Sequence, residues 1–170
     1  MAARALFPQE PCDAIMDVME RAFDPVFGEA WNRRQVADAL VLGTCRYALI
    51  DREGTIGDAV SEPCVGFYLS RTACDEEELL LFAVAPEMRG KGFGRRLLEH
   101  FVASAQKRDA VKVFLEMRRG NSAAHLYEQC DFRSVGVRPA YYHGKDGIRR
   151  DAVTYALNLR ANIQRDRPQE

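Results

Sequence analysis

The feature that most constrains the fold is a unit of strand, glycine-rich turn and amphipathic helix in residues 79–105. Residues 77–85 are nearly all apolar after an acidic start, which predicts a strand buried on both faces. Pro86 ends this strand, and a helix is predicted in residues 94–108. The apolar stripe of that helix consists of Leu97, Leu98, Phe101, Val102 and Ala105. A strand that leads through a tight turn into such a helix requires a sheet for the helix to pack on.

The elements on either side of this unit follow from the same periodicities. Residues 12–23 have apolar positions at helical spacing, and a second helix is predicted from the N-cap Asn32 to Gly43. Residues 51–63, rich in turn formers, predict a hairpin loop, and residues 121–129 predict a helix. The other predicted strands are 46–51, 64–71, 111–118, 134–142 and 152–159. This order, with room for one further early strand, predicts a mixed α/β or α+β domain around a central sheet.

Composition narrows the class of protein. The 170 residues are 47% hydrophobic and 29% charged, which predicts a single domain over 1–170, with a core at about 12–160 and a polar, flexible tail at 161–170. A net charge of −1 gives no bulk attraction to nucleic acid or to an anionic membrane. No apolar run approaches the roughly 18 residues that span a bilayer. Residues 1–10 lack the apolar core of a secretory signal, so we expect a cytoplasmic protein.

The cysteines and histidines predict neither a disulfide framework nor a metal site. The five cysteines are odd in number, are widely spaced and include no CxxC pair, so we expect them to be reduced. The three histidines show no ligand spacing. We therefore expect a protein without a bound metal.

The turn in residues 86–94 has the composition of a phosphate-binding site. Its three glycines allow close approach of the backbone and positive φ values, and the start of the following helix attracts anions. Positive charge is added by Arg89, Lys91, Arg95 and Arg96. The turn lacks the Lys-Ser/Thr ending of a P-loop, and its G-x-G-x-G spacing departs from the dinucleotide fingerprint. A different phosphate ligand and a glycine-rich surface turn with a basic rim remain as alternatives.

Two motifs resemble those of the GNAT superfamily of N-acetyltransferases. Arg89-x-x-Gly92-x-Gly94 is similar to the family's pyrophosphate motif [QR]-x-x-G-x-[GA], and it follows an Ala-Val-x-Pro ending at residues 83–86, where the family places it. Residues 121–132, with N-S-A-A, L-Y-E and F in order, resemble the family's N-x-x-A…L-Y-E-x-x-G-F segment. On this resemblance the chain is identified as a member of the superfamily.

A narrower resemblance is to the RimI-type ribosomal-protein-alanine N-acetyltransferases. The segment L-E-M-R at residues 115–118 looks like their L-E-V-R. The segment R-x-x-Y-Y at 138–142, followed by Gly147 and by D-A at 151–152, resembles their R-x-Y-Y…G…E-D-A ending. The resemblance covers about residues 12–160.

The resemblance implies a fold and a cofactor. It implies a mixed, mostly antiparallel central sheet flanked by helices, with two neighbouring strands that splay apart where acetyl-CoA binds. The pantetheine arm pairs with the exposed backbone of the splayed strand, the glycine turn holds the pyrophosphate, and an asparagine bonds the arm near the thioester. The residues expected to contact acetyl-CoA are Phe82, Ala83, Val84, Arg89, Gly90, Lys91, Gly92, Phe93, Gly94, Arg95 and Asn121.

The resemblance also implies two catalytic side chains. The acid of L-E-V-R deprotonates the incoming amine in RimI-type enzymes, which makes Glu116 the candidate base. Tyr127 is the candidate acid, because a phenol with a pKa near 10 can give a proton to a leaving thiolate. The acidic run at 75–78 is a second place for a base, since other GNAT enzymes use a base on that strand. The alternatives are an ordinary solvated charge at Glu116 and a packed core side chain at Tyr127.

The segment that contains Tyr127 departs from the family pattern. Asn121 and Tyr127 are six residues apart, where family members usually have seven. A change of one residue turns a helix by about 100°. Asp131 also stands where the family has glycine. We expect the departure to affect Asn121 more than Tyr127, because Tyr127 keeps its spacing to Phe132.

The expected acceptor is the α-amine of a protein N-terminus, with a ribosomal protein as one candidate. An α-amine has a pKa of about 7.7–8 and a lysine about 10.4, so a modest base suits the α-amine better. Tyr141 and Tyr142 are candidates to line the peptide entrance. The alternatives are a GNAT enzyme for a small-molecule amine and a non-catalytic acyl-CoA-binding module. We expect a monomer or a weak dimer.

Overall fold

The computed structural model of the protein describes residues 10–43, 45–61 and 63–160. These residues form one seven-stranded sheet with helices on both faces. In chain order the elements are α1 (Pro11–Ala22), α2 (Arg33–Val41), β1 (Cys45–Asp51), β2 (Ile56–Gly57), β3 (Cys64–Ala73), β4 (Glu76–Val84), α3 (Phe93–Lys107), β5 (Lys112–Arg118), α4 (Ala124–Gln129), β6 (Arg133–His143) and β7 (Arg149–Asn158). The predicted fold class, a mixed sheet with flanking helices, is confirmed.

Residues at their termini explain where the two N-terminal helices begin and end. Pro11 occupies the first position of α1, where its missing N–H costs no hydrogen bond. Asn32 caps α2 in a capping box with Gln35, which confirms the predicted N-cap. Gly43 follows α2 in the left-handed conformation, with φ +66°. The segment between the helices is fixed by a short 3₁₀ turn over Pro25–Phe27.

The sheet order is β2-β1-β3-β4-β5-β7-β6, and every neighbouring pair is antiparallel except β4 and β5. The parallel pair is short: residues 76–79 of β4 pair with residues 112–115 of β5. Beyond that point β4 continues to Val84 beside β3 alone, while β5 continues to Arg118 beside β7. The predicted splayed strand pair is therefore present.

The sheet separates two apolar layers. In β1, Leu49 belongs to the layer under α1 and α2, whereas Ala48 and Ile50 belong to the layer under α3 and α4. Four members of the predicted α3 stripe are fully buried, namely Leu97, Leu98, Phe101 and Ala105. Burial of a large apolar side chain stabilises a fold by about 2 kcal/mol, so this stripe fixes α3 against the sheet. The position of α3 in turn fixes the glycine turn that precedes it.

Three local predictions need correction. The predicted loop at 51–63 contains the short strand β2, which is the further early strand for which the pattern left room. Strand β4 alternates between buried and half-buried residues instead of being buried on both faces, because the face that carries Glu76, Glu78, Leu80 and Phe82 is only partly covered along the strand. Helix α4 begins at Ala124 and not at Asn121, because residues 121–123 form a turn.

Two predictions concern regions without a structural description. The N-terminal segment 1–9 and the predicted tail 161–170 lie outside the described residues. The single-domain assignment over 1–170 remains a prediction. Among the described helices, none combines the length and the apolar character required to cross a membrane.

Candidate active site

A cavity of about 820 Å³ lies where β4 and β5 part. One end is lined by the end of β4, the glycine turn and the start of α4: Phe82, Ala83, Val84, Arg89, Gly90, Gly92, Gly94, Arg95, Asn121, Ser122, Ala123, His125, Leu126, Tyr127 and Gln129. The other end is lined by the segment after α1 and by the end of β5: Ala22, Phe23, Asp24, Phe27, Glu29, Arg118 and Gly120. We call these the cofactor end and the acceptor end. Most of the predicted site residues therefore meet in one cavity.

The glycine turn at the cofactor end depends on backbone conformation. Gly90 has φ +73° and Gly92 has φ +88°, and a Cβ added at either position would have no neighbouring atom within 4 Å. These glycines are therefore required for their φ values and not for space. Helix α3 starts at Phe93 with Gly92 as its N-cap, so the free N–H groups of its first turn lie beside the cavity. Together with the helix dipole they form a site for an anion.

Two of the predicted phosphate-binding arginines bond to the protein itself. Arg89 donates from Nε to the Val84 carbonyl at 3.1 Å and from Nη2 to the Ala22 carbonyl at 3.0 Å. Arg96 donates to the Gly54 carbonyl at 2.6 Å. Both guanidinium groups therefore hold the turn and the start of α3 in place, and Arg89 also lines the cavity.

The remaining predicted residues of the turn differ in their access to the cavity. Arg95 lines the cavity, with Nη2 3.4 Å from the Gln129 amide oxygen. Lys91 places its Nζ 3.8 Å from the Met88 sulfur, and Phe93 packs on the apolar core. Neither belongs to the cavity lining. Arg95, which also lies 3.8 Å from Glu99, is thus a predicted base of this turn that lines the cavity without a hydrogen bond to a backbone carbonyl.

The end of β4 offers open backbone to the cavity. The Ala85 N–H bonds the Val65 carbonyl, so alternation turns the backbone groups of Ala83 toward β3 and those of Phe82 and Val84 toward the side that β5 has left. Arg89 donates a hydrogen bond to the Val84 carbonyl on that side. The Phe82 backbone and the Val84 N–H are therefore the groups available to an extended ligand.

Tyr127 lies in an aromatic cluster at the cofactor end. Its ring centroid is 6.0 Å from that of Phe82, 5.9 Å from that of Phe132 and 6.4 Å from that of Tyr155. The side chain is buried yet lines the cavity. Burial raises the pKa of the Tyr127 phenol above its ordinary value. The hydroxyl is therefore a proton-bearing hydrogen-bond donor at every physiological pH.

Asn121 lies in the turn before α4. Its side-chain oxygen accepts a hydrogen bond from the Ala123 N–H at 3.0 Å, and its N–H bonds the Arg118 carbonyl at 3.1 Å. The turn absorbs the shortened spacing to Tyr127, since α4 starts only at Ala124. Asn121 lines the cavity, with one side-chain acceptor already bonded to its own turn.

Glu116 lies beside the acceptor end and not in its lining. Its Oε1 is 3.1 Å from Arg138 Nη2 and accepts a hydrogen bond from the Thr154 hydroxyl at 3.3 Å. It shares a face of β5 with Arg118, two residues or about 7 Å further along the strand. Arg118 does line the cavity, so Glu116 is one side chain away from it.

The acidic run at 75–78 lies away from the cavity. Glu77 is 1% exposed and pairs with Arg108 at 2.6 Å, while it accepts a hydrogen bond from the Ser70 hydroxyl at 2.7 Å. Its position in β4 is six residues, or roughly 20 Å, from Ala83. The hypothesis of a base at this end of β4 is therefore not supported.

Sequence reasoning missed Glu29. This residue follows Gly28 in the segment between α1 and α2, and its side chain is 15% exposed and lines the cavity. Burial raises the pKa of the Glu29 carboxyl, and Arg118 beside it opposes that rise. A residue in an irregular segment has no periodicity that would mark it as buried, so only the folded structure could identify it.

The acceptor end is closed by the β6–β7 turn. Lys145 donates its N–H to the Val26 carbonyl at 2.8 Å. The guanidinium carbon of Arg118 lies 3.7 Å from the Phe27 ring centroid, and that of Arg150 lies 5.0 Å from it. The hairpin and the α1–α2 segment thus form one wall. Tyr142 donates its hydroxyl to the Glu116 carbonyl at 3.5 Å, and Tyr141 packs against it at 5.2 Å between ring centroids. Neither tyrosine belongs to the cavity lining, so their place at a peptide entrance stays a prediction.

The described residues contain no group of three or more His, Cys, Asp or Glu side chains arranged to hold a metal ion. The five cysteines are all free thiols.

Similarity to known proteins agrees with the geometry. The profile of the acetyltransferase (GNAT) domain matches residues 36–134, more than half of the chain. The chain belongs to the GNAT acetyltransferase family. The match includes β4, the glycine turn, α3, β5 and α4, which together form the cofactor end and its surroundings.

Two relatives share the sequence over this region. The [ribosomal protein bS18]-alanine N-acetyltransferase of Haemophilus influenzae is 36% identical over 95 residues, which are 56% of this chain and 65% of that relative. The enzyme of the same name from Escherichia coli strain K12 is 39% identical over 94 residues, 55% of this chain and 63% of the relative. The chain thus matches somewhat less than two thirds of the length of each.

Solved structures extend the similarity to nearly the whole chain. The ribosomal-protein-S18-alanine N-acetyltransferase from Escherichia coli superimposes with a TM-score of 0.73 and 28% identity over 87% of each chain. Arabidopsis thaliana NAA60, in complex with a bisubstrate analogue, gives a TM-score of 0.72 at 18% identity over 89% of this chain and 95% of that one. The second likeness concerns the fold alone.

Proposed function

We propose that this GNAT protein transfers the acetyl group of acetyl-CoA to the α-amine of a protein N-terminus, with a ribosomal protein as candidate acceptor. The observation that carries the proposal is the single cavity that joins the glycine turn and open β4 edge to an end lined by Glu29 and Arg118. The names of the relatives, alanine N-acetyltransferases of a ribosomal protein, support this acceptor.

The cofactor end matches the parts of acetyl-CoA in order. The N–H groups at the start of α3 and Arg95 suit the pyrophosphate. The open backbone of Phe82 and the Val84 N–H suit the amides and the thioester oxygen of the pantetheine arm. A hydrogen bond to that oxygen polarises the carbonyl and stabilises the negative charge that develops on it.

The transfer requires one proton to leave the amine and one hydrogen bond to reach the sulfur. The amine nitrogen forms a C–N bond to the acetyl carbon while the C–S bond breaks. In our proposal Glu116 accepts the amine proton through one water, because its carboxylate lies beside the cavity and outside its lining. The Tyr127 hydroxyl donates a hydrogen bond to the departing sulfur, for which its raised pKa keeps the proton in place.

The acceptor class follows from proton availability. At pH 7 roughly a tenth of α-amines are neutral, against fewer than one lysine side chain in a thousand. A carboxylate that works through water is a modest base, so it favours the amine that is already partly neutral. We therefore propose an α-amine and not a lysine side chain.

The test is the site of acetylation on a peptide with an N-terminal alanine and an internal lysine. Wild-type protein and acetyl-CoA are expected to place one acetyl group on the α-amine, as located by fragmentation mass spectrometry. Acetyl on lysine alone would contradict the proposed acceptor. Transfer only to small amines, or acetyl-CoA binding with no CoA release on any amine, would replace it with a small-molecule enzyme or a binding module.

The role of Glu116 has its own test. Glu116→Gln is expected to lower kcat roughly 10²- to 10⁴-fold with little change in acetyl-CoA affinity. Glu20→Gln is the matched control, since Glu20 is exposed on α1 and lies outside the cavity lining. Equal rates for the two variants would remove Glu116 from the mechanism.

A further inference from the structure

Three carboxylates lie at or near the acceptor end, those of Asp24, Glu29 and Glu116, and their surroundings differ. Glu116 is bonded by Arg138 and Thr154 and is not part of the lining. Glu29 lines the cavity directly, and among the described residues its one ion-pair partner is Arg118. Asp24 also lines the cavity, but it is exposed and accepts a hydrogen bond from the Val26 N–H at 2.9 Å, so Glu29 is the largely buried carboxylate that a ligand in the cavity meets.

The pair between Glu29 and Arg118 is loose. Arg118 Nε lies 3.5 Å from Glu29 Oε1, and this buried Nε has no hydrogen-bond partner among the described residues. The two side chains are 15% and 12% exposed, so water does little to satisfy either group. A buried polar atom without a hydrogen bond marks a site that is incomplete without a ligand or a water. The carboxylate of Glu29 retains lone pairs for a cationic partner.

The groups around Arg118 hold this partner of Glu29 in position. Phe27 is stacked against Arg118, and Arg150 covers the other part of the same ring. Burial raises the pKa of Tyr142 to about 12, and the nearby charges of Glu29 and Glu116 add to this effect. Its hydroxyl therefore stays neutral, and it donates to the backbone carbonyl of Glu116 at 3.5 Å. A rigid, partly desolvated carboxylate of this kind favours an ammonium group in a defined orientation.

We propose that Glu29 is the binding residue for the acceptor ammonium group, and that it selects peptides with a free N-terminus before Glu116 takes the proton. The inference rests on the proposed function and assigns its substrate recognition to a residue outside the predicted site. Glu29 receives the charged amine in the resting complex. The bound ammonium gives one proton to water to reach the reactive neutral form, and the second N–H proton passes through water to Glu116 as the C–N bond forms and the C–S bond breaks. Glu29 therefore affects binding more than the chemical step.

Peptide binding to the complex with CoA tests the proposal without turnover. Calorimetry measures the affinity of an alanine-terminated peptide and of its N-acetylated counterpart, which lacks the positive charge. Wild type is expected to bind the free peptide about 10- to 100-fold more tightly, the range for a charge-assisted hydrogen bond. Glu29→Gln is expected to reduce this preference to less than about 3-fold, whereas Glu20→Gln and Glu116→Gln retain it.

The outcomes separate the inference from the proposed function. The inference is overturned if Glu29→Gln keeps its CoA affinity and still prefers the free peptide as strongly as wild type does. The proposed function is intact in that case if wild type acetylates the α-amine. Wild type that binds both peptides equally and acetylates neither amine overturns the function. If Glu29→Gln does not fold, Glu29→Asp decides: a preference reduced by the shorter side chain supports the inference, and an unchanged preference overturns it.

Discussion

The two ends of the cavity are built in different ways. The cofactor end is built mainly from the continuous segment that runs from β4 through the glycine turn to the start of α3, with the start of α4 beside it, and its anion site is formed by backbone N–H groups. The acceptor end brings together the α1–α2 segment and the end of β5, with the β6–β7 turn packed behind them, and its charged groups are the side chains of Asp24, Glu29 and Arg118. The first end therefore depends on backbone conformation, and the second depends on tertiary packing.

This difference has a functional consequence. A main-chain site is insensitive to most side-chain changes and holds one cofactor across a family. A site made from side chains on separate segments can change its acceptor with few substitutions. Glu29 and Phe27 lie outside any long helix or strand.

The largest expected effect distinguishes a reacting hydroxyl from a packed one. Tyr127→Phe is expected to lower kcat roughly 10²- to 10⁴-fold, because it removes the donor to the departing sulfur and keeps the ring. Tyr155→Phe is the control, since Tyr155 lies in the same cluster but donates its hydroxyl to Glu128. Steady-state rates of CoA release measure both. Similar rates for the two variants would make Tyr127 a core residue only.

The second effect tests the dependence of the cofactor end on backbone conformation. Gly92→Val forces a β-branched residue to φ +88° and is expected to weaken acetyl-CoA binding at least about 100-fold through loss of charge-assisted N–H contacts. Gly43→Val places the same side chain at φ +66° far from the cavity. Both are expected to lower thermal stability, and only the first to lower affinity in calorimetry. Equal loss of affinity would mean that the turn acts through stability alone.

The third effect separates the arginines of the turn. Arg95→Gln is expected to weaken acetyl-CoA binding about 3- to 10-fold, with a reduced dependence on ionic strength. Arg96→Gln removes the bond to the Gly54 carbonyl and is expected to cost about 1–3 kcal/mol of unfolding free energy with less effect on affinity. Affinity at two salt concentrations and urea unfolding give the comparison. If Arg96→Gln lowers the affinity for acetyl-CoA and Arg95→Gln lowers the stability, Arg96 is the phosphate contact.

The smallest effect concerns the acceptor wall at high pH. Tyr142 has a pKa of about 12 in the folded protein and about 10 when unfolded, so the unfolded state alone loses the proton between these values. The free energy of unfolding therefore falls as pH rises from 10 to 12. Tyr142→Phe lacks this contribution. Its free energy of unfolding is therefore expected to fall less than that of wild type over this pH range, by a difference of less than about 2 kcal/mol. Parallel declines in urea unfolding would show that Tyr142 is solvated.

The sequence predicted the conformation of the glycine turn and the buried face of α3 for a physical reason. The φ requirement of Gly90 and Gly92 and the α3 stripe are local, so residue types and spacing report them directly. The same patterns could not show that Arg89 and Arg96 bond to backbone carbonyls, since a charge in a turn predicts only its sign. Phe93 and Lys91 were included for their place in the motif and turn away from the cavity.

The acceptor end could not be predicted in the same way. Glu29 and Arg118 are far apart in the sequence, and nothing in either segment indicates that they meet. The short interval from Asn121 to Tyr127 predicts that Asn121 is affected more than Tyr127, and in the structure Asn121 lies in a turn before α4, which starts at Ala124. The prediction of β4 as fully buried was wrong because hydrophobic content cannot distinguish a covered face from one that borders a cavity.

Hydrogen exchange of backbone amides tests the central claim, that one cavity has a main-chain cofactor end and a side-chain acceptor end. CoA is expected to slow exchange in residues 82–84 and 90–95 and to leave residues 24–29 unchanged. Addition of an alanine-terminated peptide to the CoA complex is expected to slow exchange in residues 24–29 and 141–145. Protection by CoA that misses the glycine turn, or peptide protection confined to a surface outside these segments, would contradict the two-ended cavity.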